Sequence, residues 1–599
     1  MSWTPQRSLS ETDAVLCAPG NPHEIETSLV GGRLYRVYKH LWPSLRDFWL
    51  WAASEYSNRT YIVFQDQRLT YRDVFDRSVK AASLFRTYYG IQKGDRVGIC
   101  SRNCPDYITA FWACHLLGAV SVLVNAWLPL DPLRFCLEHT ECKLVLLDPE
   151  RADLLEPVAA DLIRTAGTTG LLVFDSLDGK GHWKDMQSFN YVMDHYPRDP
   201  SASLATDPNL HPEDNASIMF TSGTTGLPKG VLSTQRMFLT NLRNISVGVL
   251  RAKLRNGEEL PSPKEGPQQG VLVAVPLFHV TGSTSLSMLA TMNGQKVVLM
   301  RKWNVEDAVR LIKRENISVG GGVPTMVSDL TESSLAGHHL DALIFGGAAA
   351  PSGLPAKARK SFPAAILSQT YGMTETNSIS VACAGNDYLV RPSSTGLPSP
   401  VNDIMIVQGD TSVPAGQRGE VWLRGPNVMK EYWRDPEATA KALTSDGWLR
   451  TGDLGSLDED GFLYIHDRIK DIIIRGGENI SSVSVENALY EDSRILEAAA
   501  VGVPDERLGE LVAAVVSVKP AFYGQVTEDS LVKFARQRLP RFAVPVMVLV
   551  QDSPLEHTPS EKITKGVLRK LAHVEWKTRQ MDGMGGLVCL RNTEPEELP

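Results

Sequence analysis

Short apolar runs separated by amphipathic stretches set the plan of this chain. Aliphatic and β-branched residues cluster in "DRVGIC" from Asp95, "VSVLVN" from Val120, "KLVLLD" from Lys143, "VLVAVP" from Val271, "KVVLM" from Lys296 and "DALIFGG" from Asp341. Runs this short and this continuously apolar predict strands buried on both faces. Between them, Val74, Phe75, Val79, Ala82 and Phe85 mark one face of a helix halted at Gly90. The alternation predicts an α/β fold, a large domain of mainly parallel sheets covered by helices.

The pattern changes elsewhere. Arg251 to Gln269 is polar and rich in Pro and Gly, which predicts a surface loop. After Ile465, "HDRIKDIIIRGGENISSVSVENAL" is charged, then Gly-rich, then helical. It introduces shorter α and β elements, and so a separate, small α+β C-terminal domain of roughly a hundred residues. The first thirty residues and those after about Ala572 lack periodicity and read as tails. The expected domains are therefore 31–466 and 467–572.

Composition narrows the function classes. The 599 residues exceed one ordinary core, while 43% hydrophobic and 22% charged residues are globular values. A net charge of −8 without a basic block gives no footprint for nucleic acid, and no run is long enough for a transmembrane helix. A small-molecule substrate is the default. The eight cysteines form no CxxC pair, and with no secretory signal this favours the cytoplasm. "RLYRVYKHL", Arg33 to Leu41, also fits a bipartite peroxisomal import pattern, although an amphipathic helix entering the fold explains the same residues.

Chemistry concentrates first in "TSGTTGLPKG", Thr221 to Gly230, which follows a strand-like "ASIMF" and is expected to leave a sheet edge. Glycines allow close backbone approach and the hydroxyls add donors, together a nest for polyphosphate. Pro228 stands where a Walker loop needs its second glycine, so this is a different phosphate loop. Further along come "PLFHVTG" (Pro276), "FGGAAAP" (Phe345), "YGMTET" (Tyr371), "GWLRTGD" (Gly447), "DRIKDIIIRGGEN" (Asp467) and "TPSEKITKGVLRK" (Thr558).

In that order these motifs resemble the adenylate-forming superfamily, closest in type to acyl-CoA synthetases and coumarate-CoA ligases, over nearly the whole chain from Leu69 to Arg569. The resemblance implies an ATP-dependent ligase that joins a carboxylic acid to AMP with release of pyrophosphate, then transfers the acyl group to coenzyme A. It assigns Thr221, Ser222, Gly223, Thr224, Thr225, Gly226 and Lys229 to the phosphates, and Gly346, Gly347 and Ala348 to the adenine plane. Tyr371 stacks on adenine, Thr374 approaches the α-phosphate and Glu375 holds Mg2+. Asp453 takes the ribose hydroxyls with Arg468 nearby, and Lys562 is the catalytic lysine. Lys470 is the hinge, and Gly476 and Gly477 line the coenzyme A channel.

By rough correspondence His279, Gly282, Ser283 and Val323 wall the acyl pocket. Amino-acid-activating relatives place an aspartate where this chain has His279, so an α-ammonium would be buried unpaired. That disfavours an amino acid and leaves a fatty, aryl or polyketide-like acid. The chain departs from the family pattern at Gln235, where histidine is common, at Glu561, where glycine is usual, and at Ser482, where proline is frequent. The departure at Ser482 is expected to be minor. An acyl-AMP ligase loading a carrier protein and a catalytically impaired nucleotide-binding homologue are the alternatives.

Overall fold

The computed structural model describes residues 3–174, 181–199, 204, 206–221, 227–260, 266–348, 350–351, 353–558 and 562–581. They form two units. The first is built from the chain up to Gly347, Leu354–Ile404 and Trp422–Arg450; the second from Ala348–Gly353, Met405–Val421 and the chain from Thr451 onward.

Each of the six apolar runs becomes a strand of the first unit. Arg96–Cys100, Val120–Leu123 and Leu144–Leu147 run parallel inside an eight-stranded sheet. Gly270–Val273, Lys296–Leu299 and Ala342–Gly346 belong to a nine-stranded sheet, with Ile317–Gly322 and Ile366–Met373 parallel to them. Side chains of Val120–Leu123 and Leu144–Leu147 are buried at every position, which is why these runs are continuously apolar rather than alternating. The expected amphipathic helix spans Tyr71–Tyr88; Thr70 caps its start, and Gly90 follows its end with a φ of 64°.

Several expectations need correction. The first thirty residues are no tail: a Ser8–Glu11 capping box starts the helix Leu9–Leu16, and Leu16 is fully buried against Val247 and Leu254. The stretch from Arg251 is helical up to Arg255, the end of the helix Gln235–Arg255. Its two arginines are buried because they pair with Asp13 and Asp387, and the irregular part begins only at Asn256. Arg33–Tyr38 is a strand hydrogen-bonded to Ile25–Val30, not a helix, with Val37 and Tyr38 buried. Finally, Asn215–Thr221 is not at a sheet edge; it lies between Val120–Leu123 and Lys229–Thr234.

The second unit contains most of a further five-stranded sheet, including the antiparallel hairpin Leu449–Leu457 with Leu463–Arg468. Beyond it Ile473–Arg475, Glu478–Ile480, Ile495–Asp505, Gly509–Val518 and Met547–Gln551 form another sheet. Alternation along Gly509–Val518 sends Val512, Ala514 and Val516 to one core, shared with Val485 and Leu489, and Leu511 and Ala513 to another, shared with Trp576. Trp576 is 1% exposed on the helix Lys565–Met581, so the region after Ala572 is also built into the fold as far as Met581. Among the described residues no helix is long and apolar enough to cross a membrane.

Candidate active site

Four neighbouring parallel strands deliver the candidate residues of the first unit. Gly270–Val273, Ile317–Gly322, Ala342–Gly346 and Ile366–Met373 lie side by side, so their carboxyl ends open at one end of the sheet, where open α/β sheets bind ligands. His279, Gly282 and Ser283 follow the first strand and Val323 the second. Gly346 ends the third, Tyr371 lies near the end of the fourth, and Thr374 and Glu375 follow it.

The "YGMTET" turn is tightly specified. A Cβ on Gly372 would stand 1.6 Å from the carbonyl oxygen of Ser378, so only glycine fits the bulge after Tyr371. Asn377 and Ser378 carry φ values of 50° and 93°, a costly conformation for side-chain-bearing residues. Hydrogen bonds hold it. The Thr376 hydroxyl accepts from Met373 N–H at 2.9 Å and donates to Ser378 O at 2.8 Å, and Asn427 donates to Thr376 O at 2.8 Å. Thr374 and Glu375 therefore share one fixed 3₁₀ turn, both half-buried.

Glu375 also has a partner that the sequence reading missed. The Tyr432 hydroxyl donates to Glu375 Oε1 at 2.7 Å, and Met429 N–H donates to the Glu375 carbonyl at 2.7 Å. Burial, and then the charge of Glu375, push the Tyr432 phenol far above its usual pKa, so it keeps its proton and is the donor. Above the same ring, at 5.1 Å from its centroid, sits the Lys229 ammonium. Thr221 and Lys229 face each other as the stems of the phosphate loop, whereas Ser222, Gly223, Thr224, Thr225 and Gly226 lie outside the described residues.

Some glycines serve the backbone rather than a ligand. A Cβ on Gly346 would meet Thr370 O at 2.4 Å, so the residue is required for strand packing; exposed Gly347, with a φ of 78°, and Ala348 follow, and Ala349 lies outside the described residues. Gly282 is likewise filled by its own chain, since a Cβ would stand 2.2 Å from Pro276 O. It lies in the first turn of a π-helical stretch, Thr281–Ser287, of the kind that often marks functional sites. Ser283 there donates to His279 O at 3.0 Å, and His279 Nδ1 accepts from Thr281 N–H at 3.3 Å. Val323, 3% exposed, caps the helix Pro324–Glu332. Gln235 is fully buried: its oxygen accepts from Leu45 N–H at 2.9 Å, an architectural role that needs no ionisable ring.

In the second unit Asp453 and Arg468 are register partners across their hairpin, joined Nε to Oδ1 at 3.2 Å. Asp453 is 4% exposed while the Arg468 side chain is 53% exposed, an arrangement that presents a fixed carboxylate beside a reachable cation. Lys470 lies in the 3₁₀ turn Ile469–Asp471, its ammonium lowered below the usual pKa by burial and then by Arg468. Gly476 and Gly477, with φ of 58° and 90°, form the two-residue turn joining Ile473–Arg475 to Glu478–Ile480. Positive φ at both positions defines a type I′ turn and accounts for the pair without any ligand. Lys562 is anchored through its backbone: Thr558 N–H donates to Lys562 O at 2.7 Å and Lys562 N–H to the Thr558 hydroxyl at 3.1 Å. Glu561 lies outside the described residues.

Ser482 is not minor. Its N–H and hydroxyl donate to Asp467 at 2.5 and 3.0 Å, and its hydroxyl accepts from Lys565 Nζ at 2.7 Å, which also pairs with Glu486 at 2.7 Å. A proline there would have no N–H for Asp467.

Comparison with known proteins decides the family. Residues 49–433 match the AMP-binding enzymes and residues 484–562 match the C-terminal domain of AMP-binding enzymes. This chain is an AMP-binding enzyme. A long-chain-fatty-acid–CoA ligase of Bacillus subtilis is 31% identical over 521 residues, covering 82% of this chain and 88% of the relative. The acyl-CoA ligase sidI of Aspergillus fumigatus is 32% identical over 528 residues, covering 84% and 86%. The o-succinylbenzoate CoA synthetase of Bacillus subtilis, solved with its acyl-adenylate intermediate OSB-AMP, superposes with a TM-score of 0.71 at 26% identity over 88% of this chain and 98% of that one. The same protein has been solved with ATP and a magnesium ion, with a TM-score of 0.69 at 26% identity over 88% of this chain and 99% of that one.

The donor set of this AMP-binding enzyme suits magnesium. Mg2+ takes oxygen ligands, commonly one carboxylate completed by substrate phosphates and water. Glu375 is a half-buried carboxylate that fits this requirement while accepting from the Tyr432 hydroxyl, and among the described residues no cluster of three His, Cys, Asp or Glu offers a competing all-protein cage.

Proposed function

We propose that this enzyme adenylates a carboxylic acid lacking an α-ammonium, a fatty, aryl or polyketide-like acid, and passes the acyl group to coenzyme A. It is an AMP-forming acyl-CoA synthetase. The observation that carries the reading is the convergence of His279, Val323, Gly347 and Thr374 on the ends of four adjacent strands in a chain of this family. Support for a non-amino acid comes from the wall near His279, where Phe278, Val280 and Ser283 are buried.

A carboxylate resists attack because its charge is delocalised and oxide is a poor leaving group; joining it to AMP supplies a good one. One carboxylate oxygen attacks the α-phosphorus and pyrophosphate departs. Thr221 and Lys229 hold the stems of the loop that cradles the triphosphate, and Tyr371, Asp453 and Arg468 hold the nucleoside. Glu375 would hold magnesium, which supplies charge neutralisation to the phosphates when bound. Lys562 steadies the charge growing between carboxylate and phosphate. The small C-terminal domain, 467–572, then rotates about Lys470, Lys562 withdraws, the thiol attacks the acyl carbonyl beside Gly476 and Gly477, and AMP leaves.

Incubation with ATP and a panel of acids, with and without coenzyme A, tests this. Thioester and AMP should appear together only when coenzyme A is present. Acyl-AMP that coenzyme A fails to consume would favour a carrier protein as acceptor, and no acid-dependent pyrophosphate release would mean an impaired homologue.

Within the import-like segment Arg33–Leu41, Arg33–Tyr38 pairs as a strand with Ile25–Val30; a fluorescent fusion of the first fifty residues separates a cytoplasmic from a peroxisomal destination.

A further inference from the structure

Glu431–Tyr432 is a strand of only two residues, yet it is fastened on three sides. It pairs with Lys229–Thr234 through Val231 opposite Tyr432 and Leu232 opposite Glu431, and Lys430 N–H and Trp433 N–H donate to Leu232 O and Gly230 O at 2.9 and 2.6 Å. Tyr432 N–H donates to the Thr439 hydroxyl at 2.9 Å, and the ring is packed with Val231, Val428, Met429 and Leu449. The phenol is thus aimed by a rigid frame, with no freedom to seek another acceptor. It ends at Glu375 Oε1, 2.7 Å away, while the face of its ring carries Lys229.

We infer that Tyr432 is a positioning residue for the metal carboxylate: its hydroxyl fixes the orientation of Glu375 toward a triphosphate-bound cation, and its ring ties that carboxylate to the stem of the phosphate loop through Lys229. The inference rests on the reading of Glu375 as the magnesium ligand. Its logic is that of outer-shell hydrogen bonds to metal ligands, which remove alternative rotamers before the cation arrives. A carboxylate has two oxygens, so a bond to Oε1 leaves it able to coordinate. The Lys229 contact adds a second consequence: a displacement of the loop stem disturbs the ring, and through it the carboxylate.

The test uses the full chain with Tyr432→Phe, Glu375→Gln and the double substitution. Mn2+ binding in the presence of ATP is read by electron paramagnetic resonance, ATP binding without metal by calorimetry, and folding by thermal melting. Tyr432→Phe keeps the ring, its packing and the Lys229 contact. It should leave metal-free ATP affinity within about twofold and weaken Mn2+ binding about tenfold or more, the scale for losing such an outer-shell bond. In the Glu375→Gln background the same substitution should add nothing. Unchanged Mn2+ affinity in Tyr432→Phe alongside a loss in Glu375→Gln overturns the positioning role and leaves the ligand reading intact. Unchanged affinity in Glu375→Gln removes the ligand reading and the inference with it. A fold defect would weaken Mn2+ binding equally in both backgrounds, and that result also overturns the role.

Discussion

Lys562 carries a charge whose value depends on where its backbone holds it. The residue is pinned by reciprocal hydrogen bonds with Thr558, and His557 bridges Ile563 across the same loop. The backbone of Lys562 is therefore held, and in the proposed mechanism only its flexible stem must be ordered when negative charge accumulates between the attacking carboxylate and the phosphate. Losing one such stabiliser costs about 10²- to 10³-fold in rate. Lys562→Ala should lower acid-dependent pyrophosphate exchange by about that factor, while thioester formation from supplied acyl-AMP continues. Exchange at the wild-type rate would remove Lys562 from the reaction. Lys562 is proposed because "EKITKGVLR" resembles one contiguous motif, whereas the contact of Tyr432 has no such trace: its hydroxyl meets Glu375 across 57 positions, and "MKEYWRD" carries no sign of it.

The 3₁₀ turn that holds Lys470, the proposed hinge, is bound by ion pairs of the second unit. Asp471, in the 3₁₀ turn with Lys470, pairs with Arg569 at 3.0 Å, and Asp467 reaches Lys565 through Ser482. Two carboxylates of the hinge segment are thereby linked to the start of the helix Lys565–Met581, close in sequence to Lys562. Burial alone would lower the Lys565 pKa, but Glu486, followed by Asp467 and Asp471, outweighs it and holds the ammonium above its usual value. Removing one member strands the other. Lys565→Met should cost about 3 kcal/mol, the low end for a buried pair because the lysine side chain is still 21% exposed. Lys565→Met with Glu486→Leu should recover most of it, since two apolar groups demand no partner. Hydrogen exchange in the helix Ser482–Tyr490 measures both; equal loss in the single and double variants would show that the pair is not the cause. At this scale, sequence reading recovers what one element shows of itself: the parallel strands are continuous apolar runs and Tyr71–Tyr88 keeps its period. It misses elements completed by distant partners. Leu16 is buried by residues more than two hundred positions away, and Arg251 and Arg255 look like loop residues until Asp13 and Asp387 neutralise them.

For the molecule as a whole, acid sensitivity should originate away from the chemistry, in two histidines buried in the first unit. His23 is held against Arg243 O at 3.2 Å, and burial followed by the charge of Arg243 brings its pKa down to about 4. His115, packed edge-on against Phe111 with ring centroids 4.4 Å apart, is brought down to about 3 by burial alone. In the unfolded chain both would take up a proton near pH 6.5. Between that value and the folded one the unfolded state holds more protons, so stability is full above pH 6.5 and falls as the pH drops. Well inside the window each histidine contributes a slope of about 1.4 kcal/mol per pH unit. Unfolded carboxylates titrate only near pH 4, so the interval from about 6 to 5 reads the histidines, to which His338 and His466, also lowered by burial, contribute beside these two. Melting temperature should therefore decline over that interval, and His23→Gln and His115→Gln should each flatten the decline, because an amide cannot take up the proton in either state. The expected activity defect of Lys562→Ala, in contrast, should leave the pH dependence of melting unchanged. If both glutamine variants melt with the wild-type pH profile, the acid sensitivity lies in groups other than these two rings.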